Sequence, residues 1–264
     1  LSRKLSFLAV EGPSDQVVVR RALRLLGFKK FNGKLAELGQ VWRNDELKPT
    51  YPTRSGSLYD RVPMPSILYT DTSSVAVYEG GGSNLIPHVR ELFVARDLPE
   101  ALAAFAVIAD SDDNPPAVVA AKYRAAFVDL FPAFPTRPGE VVPGPPALGV
   151  FVFPDNAQQG VVEHVVMECG DHVYANHMAR ARGYVADFAA EDRARAKWGP
   201  FDERKAVIAS VVSLLKPGRA NGASMDDNLW LGDETKHLPM LAELLRFLRA
   251  LVPAGPAVEP PGAT

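Results

Sequence analysis

The chain has 264 residues, 47% of them hydrophobic and 23% charged, with a formal net charge of −2. This balance suits a globular protein with a sizeable core and excludes a global basic signature, although a local basic groove fits inside a neutral total. A single cysteine, Cys169, excludes an internal disulfide framework and suits a reducing cytoplasm, where it packs as a small apolar side chain. No apolar run is long enough to span a bilayer, so no membrane partner is expected.

In chain order, the first four residues carry two cations, but Glu11 interrupts the apolar stretch that follows, so no signal peptide is read there. Residues 5–10 read as a buried strand. From 15 to 26, apolar residues at 17, 18, 22, 25 and 26 alternate with Arg20, Arg21 and Arg24, an amphipathic helix with Pro13 in the turn before it, Ser14 as N-cap and Gly27 closing it. Residues 28–73, with prolines at 49, 52, 63 and 65, read as an inserted loop or hairpin region containing short β-like runs such as 66–70. A strand at 75–78, a glycine turn at 79–84 and a helix at 85–95 follow.

The third strand, 104–109, ends in Asp110 and Asp112, and Asp112 or Asp113 is placed to cap a helix running to about residue 130. A proline-rich connection over 132–146 leads to a fourth strand at 149–153. The pattern then turns helical, at about 160–169, 171–182, 201–216 and 237–251. Beyond residue 252 the Pro/Gly/Ala-rich tail has no core pattern and is expected to be disordered. Short apolar strands alternating with helices predict a single α/β domain over 1–252, with a mostly parallel, Rossmann-like sheet, helices on both faces and a helical C-terminal elaboration.

Two of these strands run straight into acids. Leu8-Ala9-Val10 is followed by Glu11-Gly12-Pro13-Ser14-Asp15, and Val107-Ile108-Ala109 by Asp110-Ser111-Asp112. Acids at the carboxyl ends of strands lie where open α/β sheets keep their sites. If the first and third strands are neighbours, Glu11, Asp15, Asp110 and Asp112 share one crevice. So dense a negative cluster calls for a cation, and Mg2+ or Mn2+ prefer oxygen ligands.

Glu11-Gly12-x-x-Asp15 followed by Asp110-x-Asp112 resembles the Toprim domain of topoisomerases, bacterial primases and overcoming-lysogenization-defect (OLD) nucleases. Gly149 to Asn156, followed by Gly160-Val161-Val162-Glu163, resembles small stand-alone Toprim-like proteins related to the OLD branch. The resemblance implies a Toprim-like α/β fold and metal-dependent phosphodiester cleavage of DNA or RNA. It implies Glu163 as a further ligand beside Glu11, Asp15, Asp110 and Asp112, and Lys205, or less well Lys216, as the lysine near the scissile phosphate. Two ions about 3.5–4 Å apart would activate a water and neutralise the leaving oxygen. The chain carries no Gly-x-x-x-x-Gly-Lys-Ser/Thr motif. This leaves open a non-catalytic module that binds metal and nucleic acid or nucleotide and serves a separate ATPase subunit; nucleotidyl transfer, as in primases, is a third possibility.

Several other features read two ways. Gly80, Gly81 and Gly82 could cradle a phosphate at a helix N-terminus or simply form a strand-to-helix turn. Arg180, Arg182, Arg193, Arg195 and Lys197 around Tyr184 and Trp198 are a solvated helix face or a set of phosphate contacts with aromatics for base stacking. Asp15 and Asp112 could instead only cap helices. His164, His172 and His177 share no helical face and make a poor zinc set. Asp226-Asp227-Asn228 reads as a loop outside the site.

Overall fold

The structure is a computed structural model that describes residues 3–34, 37, 65–94 and 98–252. At its centre is β1 (Lys4–Val10), buried from Ser6 onward, as expected of a strand covered on both faces. Strands β4 (Ser73–Glu79) and β5 (Leu102–Asp110) flank it in parallel, and β7 (Ala147–Phe153) runs parallel beyond β5. Two short strands, β2 (Lys29–Lys30) and β3 (Ser66–Tyr69), extend the sheet antiparallel past β4, and β6 (Val141–Val142) does so past β7. The order is β2-β3-β4-β1-β5-β7-β6, a mixed sheet with a parallel centre.

Helix α1 (Pro13–Leu25) covers one face together with α5 (Glu163–Val173), α8 (Asp202–Leu215) and α10 (Pro239–Leu251), packing on Leu8, Val10, Ile108, Phe151 and Phe153. Helices α2 (Leu85–Val94) and α4 (Pro116–Phe127) cover the other, on Phe7, Ala9, Phe105, Val107 and Val150. The chain thus leaves β1 on one face and its neighbour β5 on the opposite face. Their carboxyl ends bound a topological switch point, where open α/β sheets form a crevice.

The remaining helices are α3 (Leu98–Ala101), α6 (Ala175–Ala186), α7 (Ala190–Arg195) and α9 (Asn221–Asp227). The last two lie in stretches where the sequence pattern indicated none, because both are short and largely polar. Asp226 and Asp227 therefore end a helix and do not lie in a loop. Asp226 pairs with Arg20 at 3.2 Å and Arg24 at 3.7 Å, and Arg21 donates to the carbonyls of Asp226 and Leu231. Of the arginine stripe of α1, Arg20 and Arg21 are largely covered on the α9 side, while Arg24 stays exposed.

Helix α4 also departs from expectation: it starts at Pro116, with Pro115 as N-cap, so neither Asp112 nor Asp113 caps it. Proline at the first helical position, with its fixed φ and no N–H to satisfy, sets that start. Of the expected insertion, β2 and β3 join the main sheet, while 35–36 and 38–64 lie outside the described residues, as does the tail from 253. Among the described residues no helix is long and apolar enough to cross a membrane.

Candidate functional site

Strand register brings the acids to one edge of the sheet. Val10 pairs with Glu79 on β4 and with Ile108 on β5, so across the three adjacent parallel strands Glu79, Glu11 and Asp110 stand each one residue further along than the last. Neighbouring strands lie about 4.8 Å apart, so the three carboxylates share one rim. The pleat then divides them. Leu8 and Val10 face the α1 side and Phe7 and Ala9 the α4 side, so the next residue, Glu11, follows Ala9 towards α4. There Tyr123 of α4 donates its hydroxyl to Glu11 Oε1 at 2.6 Å. By the same alternation Glu79 and Asp110 fall on the α1 side.

Asp15, in the first turn of α1 and only 3% exposed, accepts the Gly12 N–H on Oδ2 at 2.7 Å. The capping role that the sequence left open for Asp15 is therefore real, and it coexists with a place in the crevice. Glu163 opens α5 and is 8% exposed. Asp110 Oδ1 accepts the Val162 N–H at 2.8 Å, which joins the end of β5 to the start of α5. These side chains bound a cavity of about 400 Å3, lined by Glu11, Asp15, Glu79, Asp110, Glu163 and Lys205. Its size is that of a small-ligand site.

Burial raises the Asp15 carboxyl well above the usual range; the Gly12 N–H opposes this, and the charges of Glu11, Glu163 and Glu79 add to it. Asp110 is raised well above its usual range by burial, then by Asp15, Glu163 and Glu11. Burial also raises Glu11 against the lowering effects of Tyr123 and Lys122, and raises Glu163 against that of Lys205. Among the described residues lining the cavity, Lys205 is the one cation, and its Nζ lies 3.3 Å from Asp202 Oδ1.

The set consists of hard oxygen donors with more negative charge than its surroundings neutralise, which fits Mg2+ or Mn2+. Among the described residues no three His, Cys, Asp or Glu side chains close into a preformed cage. The crevice groups a donor set around a cavity without fixing a coordination sphere.

Asp112 is exposed, with φ of 49°, and its N–H bonds the Gly160 carbonyl at 2.8 Å. It does not line the cavity, although its charge reaches Glu11 and Glu163. Lys216 ends α8 4.0 Å from Asp227 and is not among the lining residues.

At Gly80 and Gly82 the glycine loop follows the turn reading. The N–H groups of Gly80 and Gly82 bond the carbonyls of Val10 and Glu11 at 2.9 and 2.8 Å, so they tie the end of β4 to the end of β1 and do not face a phosphate. Gly81 and Gly82 line the cavity with positive φ, Gly81 at 75° and Gly82 at 64°. The three histidines stand apart: His164 bonds the Val161 backbone, His172 packs on His237 and His177 on Tyr174. Cys169 is buried, and burial pushes its thiol up to about 12, leaving it unreactive.

Two residues of the site were not singled out from sequence. Glu79 follows the apolar run Val75 to Tyr78, the same strand-then-acid pattern that marks Glu11 and Asp110, but the glycines directly after it give it the look of a turn residue. Tyr123 carries no local signal, because only the packing of α4 brings it to Glu11.

A family model described as a protein of unknown function, DUF3226, matches residues 6–253. The chain belongs to the DUF3226 family. No curated protein matches it. Among solved structures it is similar to a hypothetical protein, PH0156, from Pyrococcus horikoshii OT3. The identity is 15% and the TM-score 0.48, over 94% of this chain and 95% of that one.

Proposed function

We propose that this DUF3226 chain is a Toprim-type, Mg2+- or Mn2+-dependent nuclease that cleaves phosphodiester bonds in nucleic acid. The observation that supports this reading is the row of Glu79, Glu11 and Asp110 at the ends of three adjacent strands, completed by Asp15 and Glu163 from two helix starts. Glu11, Asp15, Asp110 and Glu163 would hold the cations, with Glu79 beside them and Asp112 at the rim. When bound, such ions supply an activated water and counter-charge for the leaving oxygen. Tyr123 orients Glu11, and Lys205 offers its ammonium to a phosphate oxygen.

The test is incubation of purified protein with supercoiled plasmid and with single-stranded DNA and RNA, with and without Mn2+. Cleavage should require the cation and fall at least 100-fold in Glu11→Ala and Asp110→Ala, by analogy with the loss of one preorganised electrostatic group. Wild-type activity in the double variant, with its fold retained by circular dichroism, would reject the proposal.

A second reading keeps the site and gives catalysis to a complex with a separate ATPase. It is favoured by the scarcity of groups that grip phosphate: among the described lining residues only Lys205 is cationic, and the amides of Gly80 and Gly82 are already bonded. On that reading the chain binds Mn2+ but cleaves only when the partner is added.

A further inference from the structure

A lysine acts on the strand-end acids from each face of the sheet. Lys205 of α8 lines the crevice on the α1 side, and burial raises Glu163 while the Lys205 charge opposes that rise. Lys122 belongs to α4, on the opposite face, and does not line the cavity. Burial raises the Glu11 carboxyl, and the Tyr123 hydroxyl and then the Lys122 charge oppose it, both ahead of the contrary effect of Asp112.

The placement of Lys122 is specific. Successive residues of a helix point about 100° apart, so Lys122 and Tyr123 do not face each other by default. Here the lysine is turned over its neighbour, with Nζ 5.1 Å from the centre of the Tyr123 ring. The hydroxyl of the same ring donates to Glu11 Oε1 at 2.6 Å. One buried ring therefore joins the lysine to the acid. Lys122 is itself exposed, and among the described residues it forms no ion pair.

A counter-ion that served only to neutralise Glu11 would pair with it directly, whereas Lys122 acts on Glu11 without touching it. Once Glu11 holds Mg2+ or Mn2+, the ammonium becomes a second positive charge beside the ion, and the two repel. An anion between them turns that repulsion into attraction on both sides. A phosphodiester is such an anion, and lysine binds phosphate as a point charge.

We infer that Lys122 binds a phosphate of the nucleic-acid strand on the α4 side, while Lys205 meets another phosphate of the same strand on the α8 side. The strand thus crosses the carboxyl edge of the sheet from α8 to α4, past Asp110 and Glu11. The inference rests on the cation-bearing crevice of the nuclease reading above.

The test measures binding of a labelled oligonucleotide by fluorescence anisotropy at several salt concentrations. Ca2+, another oxygen-binding cation, replaces Mn2+ so that binding is read apart from cleavage. The wild type, Lys122→Gln and Lys122→Arg are compared, and Mn2+ affinity is titrated on the same proteins. Lys122→Gln should lower the slope of log affinity against log salt by about 0.7 for a single strand or about 0.9 for a duplex, the worth of one phosphate contact. At 0.1 M salt the first of these amounts to about 5-fold weaker binding. Lys122→Arg should restore both values. Mn2+ affinity in Lys122→Gln should hold or rise, because a competing charge has gone. A wild-type affinity or an unchanged salt slope in Lys122→Gln would overturn the inference and leave the nuclease reading standing. Parallel weakening of Mn2+ would make Lys122 a support for Glu11 and likewise overturn it, as would a wild type that binds no oligonucleotide. If the wild type binds as expected but cleaves nothing in Mn2+, the nuclease reading falls and the phosphate contact stands.

Discussion

Glu11 is held from behind by a group that cannot give up its proton at working pH. Tyr123 is 1% exposed, and burial together with the charges of Glu11, Asp15 and Asp110 pushes its phenol far above the usual range. It therefore remains a donor and fixes Glu11 Oε1 at 2.6 Å, the orientation in which Glu11 would meet the proposed cation. Such outer partners set how well a ligand is oriented. Tyr123→Phe keeps the ring in the α4 core and removes only the hydroxyl. Mn2+ affinity, read by isothermal titration, should fall roughly 5-fold, the net worth of one hydrogen bond of about 1 kcal/mol. An unchanged affinity would mean that Glu11 needs no help in pointing. At this scale the sequence was only partly legible: Glu11 and Asp110 stand out because an acid directly after a buried strand is costly without a partner, whereas the Tyr123 contact spans 112 residues and leaves no local pattern.

At the scale of elements, the site depends on β4 ending level with β1. Gly80 holds that corner: a Cβ there would lie 2.6 Å from the Leu85 Cα, the first residue of α2. Backbone at that distance cannot move aside without shifting the helix. Gly80→Ala should therefore destabilise the fold by about 2–3 kcal/mol, in the range of core overpacking, and displace Glu79 as well. Denaturant unfolding measures the first effect, and a fall in Mn2+ affinity beyond that of Gly82→Ala measures the second. A stability equal to wild type would show that the corner can relax. The long apolar elements were legible, β1, β5 and β7 as continuous apolar runs buried on both faces and α1, α8 and α10 as helical patterns of apolar residues. Helices α7 and α9 were not, since six or seven mostly polar residues carry no period, and their helicity comes from tertiary contacts such as the pairing of Asp226 with Arg20.

For the whole molecule, the crevice is a local cost to folding that a cation should offset. Glu11, Asp15, Asp110 and Glu163 all titrate higher in the folded chain than in the unfolded one, first because they are buried. Acids raised in this way bind protons more tightly when folded. The stability they contribute is fully present below their ordinary range of about 4 and is lost as pH rises through their folded values. Exposed pairs act with the opposite sign: Asp129, held down to about 2 by Arg90, and Asp202, held down by the Gly199 N–H, lose their contribution only as pH falls below the ordinary range. Between about pH 5 and 7 those pairs are constant. His164, lowered by burial, opposes the crevice within that window, because a neutral buried imidazole favours the fold as pH rises. Comparison with Asp110→Asn separates the two, since asparagine can still accept the Val162 N–H at this position while carrying no charge. In EDTA, the melting temperature of Asp110→Asn relative to wild type should rise as pH is taken from 5 to 7, so that at pH 7 the variant is the more stable protein. Mn2+ at 100 times its dissociation constant should then add about 2.7 kcal/mol to the wild type, about 5–10 °C in melting temperature, and much less to the variant. A wild type and variant that melt in parallel across this window and respond alike to Mn2+ would mean that the strand-end acids are not coupled to a common cation.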